Sequence, residues 1–404
     1  MTRRDAEMPS ITGHFLWSVV AAQVLVQIGA FSLPALLPGY IAQWTLSKTQ
    51  AGWLVGIFFA AYVVAVPVLV ALTDRVPARN VYVVGAGLTA VSHLGFAFVA
   101  DGFWSALMFR AIAGIGWAGA YMPGLKAIAD ALTGDAQSRA VSAHAAGVGI
   151  AGASSFGVAG LISSFYGPQT AFLFGGVAAL VALCIAWAVL PNGLPAHAMK
   201  IAPRTLLDFR PVFQNRPAMA WIAGYTFHTW EMAALRAWGV TFLTVTAAKV
   251  GAVAWLPSPT AIFTLAGFVG IAVSILGNEM SQRFGRVRIV TIAMSAAAIA
   301  ALCTGWSVGT SVPLTAILIA VWLALTFLDS SALTAGTVQA ANPARRGATM
   351  GLHSMCGYAG GFLGPLGVGF ALDWADNPTL AWGLGFGQLA LIGLLGLFLV
   401  RRMT

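Results

Sequence analysis

Ionisable residues inside two long apolar stretches are the residues of this sequence whose types could do chemistry. One stretch contains Arg110, and the other contains His228, Glu231 and Arg236. A charge in an apolar stretch is costly, so it usually faces a partner or a polar cavity. A carboxyl in a low-dielectric environment can exchange a proton near neutral pH, and a guanidinium there attracts anions. These residues therefore indicate proton coupling or the binding of a charged ligand.

The spacing within the second stretch predicts how its side chains are directed. His228 and Glu231 are three residues apart, so on a helix they share a face. Arg236 follows Glu231 by five residues, which turns it by about 140° around a helix. Glu231 and Arg236 can then point into one cavity only if the helix is broken. A Glu231–Arg236 pair that only stabilises the fold is the alternative.

Further polar residues in apolar stretches extend this candidate site. Asp329 and His353 could pair with each other or relay a proton, and a structural role is equally compatible with the sequence. Gln23 and Gln27 are four residues apart, as expected for polar groups that line a cavity from one helix face. Aromatic residues that could form the walls of the site are Trp117, Tyr121, Tyr225 and Trp230.

The elements that position these residues follow from the composition, which is that of a membrane protein. Hydrophobic residues make up 59% of the chain and charged residues 8%, against about 25% charged in soluble domains. The net charge of +9 comes from basic residues in short spacers, which indicates a topology signal rather than nucleic-acid binding. The three cysteines lie in apolar stretches and are predicted to be buried free thiols, without a disulfide or metal cluster.

Three motifs that are common in nucleotide-hydrolysing, metal-dependent and redox enzymes are absent from the sequence. It contains no Walker loop, no H-E-x-x-H and no C-x-x-C. We therefore expect no enzyme activity, no metal and no cofactor, with a proton gradient as the driving force.

Twelve apolar runs are long enough to cross a membrane, since a helix needs roughly 20 residues to span ~30 Å of hydrocarbon. The polar, proline-punctuated segment 191–217 separates six runs from six. The sequence therefore predicts an all-α membrane protein with a six-helix bundle over 1–190, a cytoplasmic loop over 191–217 and a second six-helix bundle over 218–404. The runs are 15–42, 50–72, 80–100, 103–130, 140–165, 168–190, 218–245, 257–279, 287–307, 312–336, 348–372 and 379–400.

Basic residues alternate between the connecting segments in the way that the positive-inside rule expects. With the N-terminus inside, the inside segments hold 16 of the 21 lysines and arginines, and the outside loops hold only Lys48 and Lys249. This distribution predicts a multi-pass protein of the inner (plasma) membrane with both termini in the cytoplasm. The first run is predicted to be a retained helix and not a signal peptide.

Two charged loops occupy equivalent places in the two halves. Arg75 and Arg283 stand 208 residues apart, each between the second and third runs of its half. The loops resemble the Gly-x-x-x-Asp-Arg-x-Gly-Arg-Arg motif of the major facilitator superfamily. The positions that match the motif are Asp74, Arg75 and Arg79 in the first loop, and Arg283, Gly285 and Arg286 in the second.

The resemblance implies two pseudo-twofold halves that alternate in access, a monomer, and a path lined by helices one, four, seven and ten. It also implies that the charged loops act as gates. Asp74 would face the start of helix eleven when the outside is open, and Asp130 would pair with Arg75 or Arg79. The alternative is that these charges only set the topology. Lys126 lies four residues before Asp130, on the same helix face.

The segment that begins at Arg110 reads R-x-x-x-G-x-G, which is similar to the fourth-helix motif of proton-linked facilitators. In that group the arginine is implicated in proton coupling or in holding an anionic group. Packing against neighbouring helices is the alternative. The Gly-Pro pair that is usual in the fifth helix of the exporter branch is missing here and occurs instead at Gly364-Pro365.

The expected function is therefore proton-coupled uptake of a small organic anion or polar metabolite. An alternative is a proton-coupled exporter of drugs or other amphipathic compounds, which would use Glu231 against a cationic substrate. A further class is a transport-inactive receptor or a lipid-handling membrane protein. The expected partners are a small-molecule substrate and the lipid bilayer.

Overall fold

Long helices separated by short loops make up the structure, a computed structural model that describes residues 4–132, 134–193 and 209–403. Most of the predicted loop 191–217, with Lys200 and Arg204, lies outside the described residues. The twelve long helices are α1 (Arg4–Gln27 and, after a break, Ser32–Gln43), α2 (Lys48–Leu72), α3 (Ala78–Phe98), α4 (Phe103–Ala131), α5 (Gly134–Tyr166), α6 (Pro168–Val189), α7 (Arg216–Val250), α8 (Pro259–Phe284), α9 (Arg286–Trp306), α10 (Val312–Ala340), α11 (Arg346–Trp374) and α12 (Pro378–Met403).

Each of the twelve predicted runs corresponds to one of these helices, which confirms the predicted fold class. Ten of them are long and apolar enough to cross a membrane. The other two, α4 and α7, carry Arg110, Glu231 and Arg236 within their length. The charges that lower the hydropathy of α4 and α7 are thus the same residues that the sequence marks as functional candidates.

Helix boundaries follow local chemistry. Proline occupies the first turn of α6, α7, α8 and α10, where its missing N–H removes no helical hydrogen bond. Gly285 separates α8 from α9 with a φ of 93°, a left-handed conformation that residues with a side chain rarely adopt. This conformation explains why a glycine stands at that position of the second charged loop.

The two halves meet along two antiparallel helix pairs, α2 with α11 and α5 with α8. We call the face on which α1 begins and α12 ends the terminus face, and the other the opposite face. A Cβ on Gly52 would lie 2.7 Å from the carbonyl oxygen of Pro365, and one on Gly56 would lie 2.8 Å from that of Phe362. The backbones of α2 and α11 therefore touch near the opposite face.

The cysteines are free, as predicted, but their predicted burial is wrong. Cys184 and Cys303 are exposed and Cys356 is partly exposed. Apolar residues of a membrane helix can face lipid as well as the core, so an apolar run does not show which face a cysteine occupies.

Candidate functional site

Arg236 lies where the two halves meet and has no acidic partner. Its guanidinium carbon is 5.1 Å from the ring centroid of Phe31, at the break in α1, and 5.2 Å from that of Phe327 on α10. No carboxylate of the described residues lies within 4 Å of it. A half-buried cation between aromatic rings, with no counter-ion from the protein, is suited to hold an anionic ligand.

Tyrosines from both halves surround the region next to Arg236. Tyr62 of α2 stacks on Tyr358 of α11 with ring centroids 3.9 Å apart and an interplanar angle of 21°. The Tyr62 hydroxyl is also 3.4 Å from the Ser354 hydroxyl. Tyr225 and Tyr358 are both close enough to Arg236 to interact with it electrostatically. Tyr62 and Tyr358 are not among the residues predicted from the sequence, because a single tyrosine in an apolar run does not reveal which way it points.

The predicted aromatic residues occupy several environments. Trp117 packs edge-on against Phe58, with centroids 5.3 Å apart, and Tyr121 stacks on His144. The indole N–H of Trp230 has no hydrogen-bond partner among the described residues. Of the four predicted residues, Tyr225 is the one whose interaction with Arg236 is evident.

Arg110 is bound to backbone carbonyls of the N-terminal half. Its Nε donates a hydrogen bond to the carbonyl of Leu54 (3.3 Å) and its Nη1 donates to that of Ala30 (3.4 Å). Ala30 belongs to the break in α1, where carbonyls lack their helical partners. Arg110 is 3% exposed, and its guanidinium lies over the ring of Phe58. This geometry holds the break in place, one residue before Phe31.

Gln23 and Gln27 are buried on α1 with exposures of 0% and 1%. None of their four amide atoms has a hydrogen-bond partner among the described residues. An unpaired buried amide costs about 1–3 kcal/mol, so water or a ligand group is needed to satisfy these side chains. Gln27 lies one helical turn before Phe31 and Ala30, and the carbonyl of Ala30 accepts a hydrogen bond from Arg110.

Glu231 and His228 face α10, as their shared helix face predicted. The indole N–H of Trp322 donates a hydrogen bond of 2.6 Å to Oε1 of Glu231. The Nδ1 atom of His228 lies 2.7 Å from Oδ1 of Asp329. Trp322 and Asp329 are seven residues apart, which places them two turns apart on one face of α10. Both acids are therefore inside the C-terminal half.

Neither a Glu231–Arg236 pair nor an Asp329–His353 pair is formed. Helix α7 is continuous from Arg216 to Val250, so Glu231 and Arg236 diverge as the spacing predicts. Asp329 is in contact with His228 instead. The Nδ1 atom of His353 is 3.0 Å from the Thr337 hydroxyl, and its ring stacks on Tyr225 at 3.8 Å.

The first charged loop differs from the expected pairing. Asp130 forms its ion pair with Lys126, at 2.7 Å, so the predicted pair with Arg75 or Arg79 is wrong. Lys126 is one turn away on the same helix and needs no other element to reach Asp130. Arg79 instead lies over the ring of Trp187, at 4.6 Å, and donates to its carbonyl.

The second charged loop contacts the end of α10. Arg286 donates a hydrogen bond to the side-chain oxygen of Gln339. Arg283 lies over the ring of its neighbour Phe284. In the first loop, Arg75 is exposed and Asp74 is partly buried.

A cavity of about 950 Å³ lies towards the opposite face, between α1, α5, α7 and α8. Its lining is mainly apolar and includes Tyr40, Gly157, Thr244 and Thr264. None of the predicted site residues lines it. The cavity and the region around Arg236 are therefore distinct features of the space between the halves.

Twelve membrane-length helices in two halves, with polar residues gathered between and within them, define a polytopic membrane transporter. Residues 19–365 match the Major Facilitator Superfamily, and the chain belongs to this family. No curated protein sequence matches the chain.

Solved structures share the fold. A mutant of the nucleoside transporter NupG superposes with a TM-score of 0.79 at 14% identity, covering 96% of this chain and 99% of that one. A bacterial homologue of the human lysosomal transporter Spinster, in an inward-facing and occupied conformation, gives 0.77 at 17% identity, covering 97% of both chains. The human organic anion transporter MFSD10 gives 0.70 at 18% identity, covering 96% of this chain and 99% of that one.

Proposed function

We propose that this protein is a secondary active transporter that takes up a small organic anion together with protons by alternating access. The observation that carries the proposal is the position of Arg236 between Phe31 and Phe327, with no carboxylate of the described residues within 4 Å. The halves contribute one ring each. An anion bound there would contact both halves, and its release would follow from their separation.

The neighbouring polar groups extend the substrate class to polar metabolites. Tyr225 and Tyr358 interact electrostatically with Arg236, and their hydroxyls can hydrogen-bond to a carboxylate or to a hydroxyl. The fold is also that of MFSD10, which is described as an organic anion transporter, and of NupG, which is described as a nucleoside transporter. We infer that the substrate is small, polar and negatively charged.

Proton coupling is assigned to the C-terminal half. Glu231 and the His228–Asp329 pair connect α7 to α10 through contacts of 2.6 and 2.7 Å. Since α7 carries both Glu231 and Arg236, protonation of Glu231 and binding of an anion act on the same helix. A proton that binds one conformation better than the other shifts the balance between them. His353, stacked on Tyr225, joins this network to the tyrosines at the centre.

In the N-terminal half, Arg110 takes a positioning role in this scheme. Its bonds to Ala30 and Leu54 fix the break that presents Phe31 to Arg236. Gln23 and Gln27, with unpaired amides, supply hydrogen bonds to water or to the uncharged part of the substrate.

Export of amphipathic compounds is the second candidate, and the apolar cavity towards the opposite face favours it. That function would need an acid that can meet a cationic substrate. Glu231 is 3% exposed and bonded to Trp322 within the C-terminal half. The contacts of Glu231 therefore support proton binding more than cation binding.

The membrane location is part of the same proposal. The excess of basic residues in alternate loops supports an inner-membrane protein with cytoplasmic termini, in which the terminus face is the inside. A single chain contains both halves, so a monomer is sufficient for the transport cycle.

A thermal-shift screen of the purified protein tests the anion site, since a ligand that binds the folded state raises its stability. The panel contains small carboxylates, nucleosides and neutral sugars. At about 100 times the Kd, the stabilisation is about 2.7 kcal/mol. We expect a carboxylate to raise the Tm of the wild type, and Arg236→Gln to lose that rise.

Lys249→Gln is the matched control, because Lys249 is an exposed basic residue of the same helix. It should keep the full response. If Arg236→Gln and Lys249→Gln respond to carboxylates equally, Arg236 does not bind the anion.

A further inference from the structure

A carboxylate of one half caps a helix of the other half at the opposite face. Asp373 is in the last turn of α11. Its Oδ1 accepts a hydrogen bond from the backbone N–H of Lys48 (2.9 Å), and its Oδ2 accepts one from that of Thr49 (2.7 Å). Lys48 and Thr49 are the first two residues of α2. The two hydrogen bonds therefore join the N-terminal half to the C-terminal half.

The N-terminus of α2 leaves these two N–H groups for an external partner. A helix begins with donors that have no acceptor within it. In α2 the hydroxyl of Ser47 accepts from the N–H of Gln50 (3.1 Å), and the Gln50 side chain accepts from the N–H of Ser47 (3.0 Å). This capping box satisfies the backbone N–H groups of Ser47 and Gln50. Lys48 and Thr49 are satisfied by Asp373.

The location of Asp373 is unfavourable with respect to its own helix. An acid near the C-terminus of a helix meets the negative end of the helix dipole, whereas an acid at an N-terminus is stabilised. The carboxylate of Asp373 is therefore stabilised by the N-terminus of α2 and not by its own helix, α11. This stabilisation exists only while the halves are closed at the opposite face.

Close backbone packing holds the two ends in register. A Cβ on Gly369 would overlap the carbonyl of Lys48, and one on Gly52 would lie 2.7 Å from the carbonyl of Pro365. Any separation of α2 from α11 at this face would move Asp373 away from its two donors. The hydrogen bonds are thus sensitive to the distance between the halves.

The other end of the same helix pair carries a second acid. Asp74 follows the C-terminus of α2, and α11 begins at Arg346 on the same terminus face. Asp74 forms no ion pair within 4 Å among the described residues. In this conformation Asp373 is therefore the acid that bonds to the partner helix.

We propose that Asp373 is a latch that stabilises the conformation closed at the opposite face, and that opening of this face breaks it. This proposal rests on the proposed function only in that the halves separate; it does not depend on which substrate is carried or on proton coupling.

Distances between spin labels on the two halves test the latch. In a variant with all three cysteines replaced, Ala42→Cys and Ala254→Cys place labels on exposed positions near the opposite face, one in each half. We expect Asp373→Ala to add a longer-distance population and to raise the ratio of open to closed molecules about tenfold. A tenfold change corresponds to about 1.4 kcal/mol.

Two further variants address the hydrogen bonds themselves. Lys48→Pro removes one donor N–H at the first position of α2, where proline is well tolerated, and Lys48→Ala keeps that N–H. We expect Lys48→Pro, but not Lys48→Ala, to raise the open population. The effect should vanish when Asp373→Ala is already present, because both changes break the same contact.

Asp376→Asn is the control for charge, since Asp376 is exposed and three residues from Asp373. It should leave the distances unchanged, and Asp373→Asn serves as the isosteric variant if Asp373→Ala does not fold. Distances in the Asp373 variants equal to those of Asp376→Asn would overturn the latch. So would equal effects of Lys48→Pro with and without Asp373. Neither outcome bears on whether Arg236 binds an anion.

Discussion

At the scale of the residue, the two arginines within the long apolar helices, Arg110 and Arg236, differ in what their guanidinium groups contact. Arg110 has protein acceptors for its guanidinium, whereas Arg236 has only aromatic rings. A partly buried cation without a counter-ion is costly, and the anion proposed to bind at Arg236 would offset that cost. The same cost would let the proposed site distinguish charged from neutral ligands.

Glu231 is predicted to couple transport to protons. The side chain of Glu231→Gln can still accept the hydrogen bond from Trp322, which preserves the packing of α7 on α10, but it cannot bind a proton. We expect this variant to exchange substrate across a vesicle membrane at near wild-type rates and to lose proton-driven accumulation by more than tenfold. Uptake of labelled substrate with and without a pH gradient measures both properties.

Glu279→Gln is the control for Glu231, because Glu279 is an exposed acid of α8. It should accumulate substrate like the wild type. Unchanged accumulation by Glu231→Gln would show that Glu231 is structural.

At the scale of the element, α7 and the break in α1 determine the site. Five residues separate Glu231 from Arg236 on a continuous helix, and this spacing sends one side chain into the C-terminal half and the other to the interface between halves. The sequence was sufficient to predict that divergence. It was not sufficient to predict the break after Gln27, because the run is apolar on both sides of it.

Arg110 is predicted to stabilise the break. Arg110→Ala removes the hydrogen bonds to the carbonyls of Ala30 and Leu54, and a buried carbonyl left unpaired costs about 1–3 kcal/mol. We expect a lower Tm and weaker anion binding, since Phe31 loses its support. Thermal unfolding with and without the bound anion gives both values.

Arg110→Lys keeps the charge but lacks the fork that reaches two acceptors, so it should be intermediate. Arg288→Gln, which removes an exposed arginine at the start of α9, should have little effect. Wild-type binding by Arg110→Ala would remove Arg110 from the support of the site.

Two pairings show where the motif resemblance was wrong and where the spacing gave no information. The motif resemblance assigned Asp130 to an arginine of the neighbouring loop, but Lys126 one turn away takes that place. The sequence position of Asp373 indicates that it has a partner, because an acid at the C-terminal end of a helix is unfavourable unless another element compensates it. Its partner could not be identified from the sequence, since 324 residues separate Asp373 from Thr49.

At the scale of the whole molecule, the fold was predictable because length and hydropathy fix a membrane helix. All twelve runs became helices and the charged loops fell at matching places in the two halves. The arrangement of the residues between the two halves was less predictable from the sequence. The Tyr62–Tyr358 stack joins α2 to α11, and only the packing of the two halves determines that these tyrosines meet.

The contacts between the two halves fit the proposed transport cycle. Closure at the opposite face brings Asp373 to the N-terminus of α2. In the proposed cycle, an anion at Arg236 and a proton at Glu231 alter the relative stability of the two conformations. In this proposal, transport follows from coupling between binding and the position of the halves.

Proton movement in sealed proteoliposomes tests the central claim most directly. The carboxylate that stabilises the purified protein is added outside vesicles that contain a pH indicator. The account predicts that the wild type acidifies the vesicle interior as the anion enters, and that Arg236→Gln does not. Entry of no anion, or entry without any change of internal pH, would contradict proton-coupled uptake.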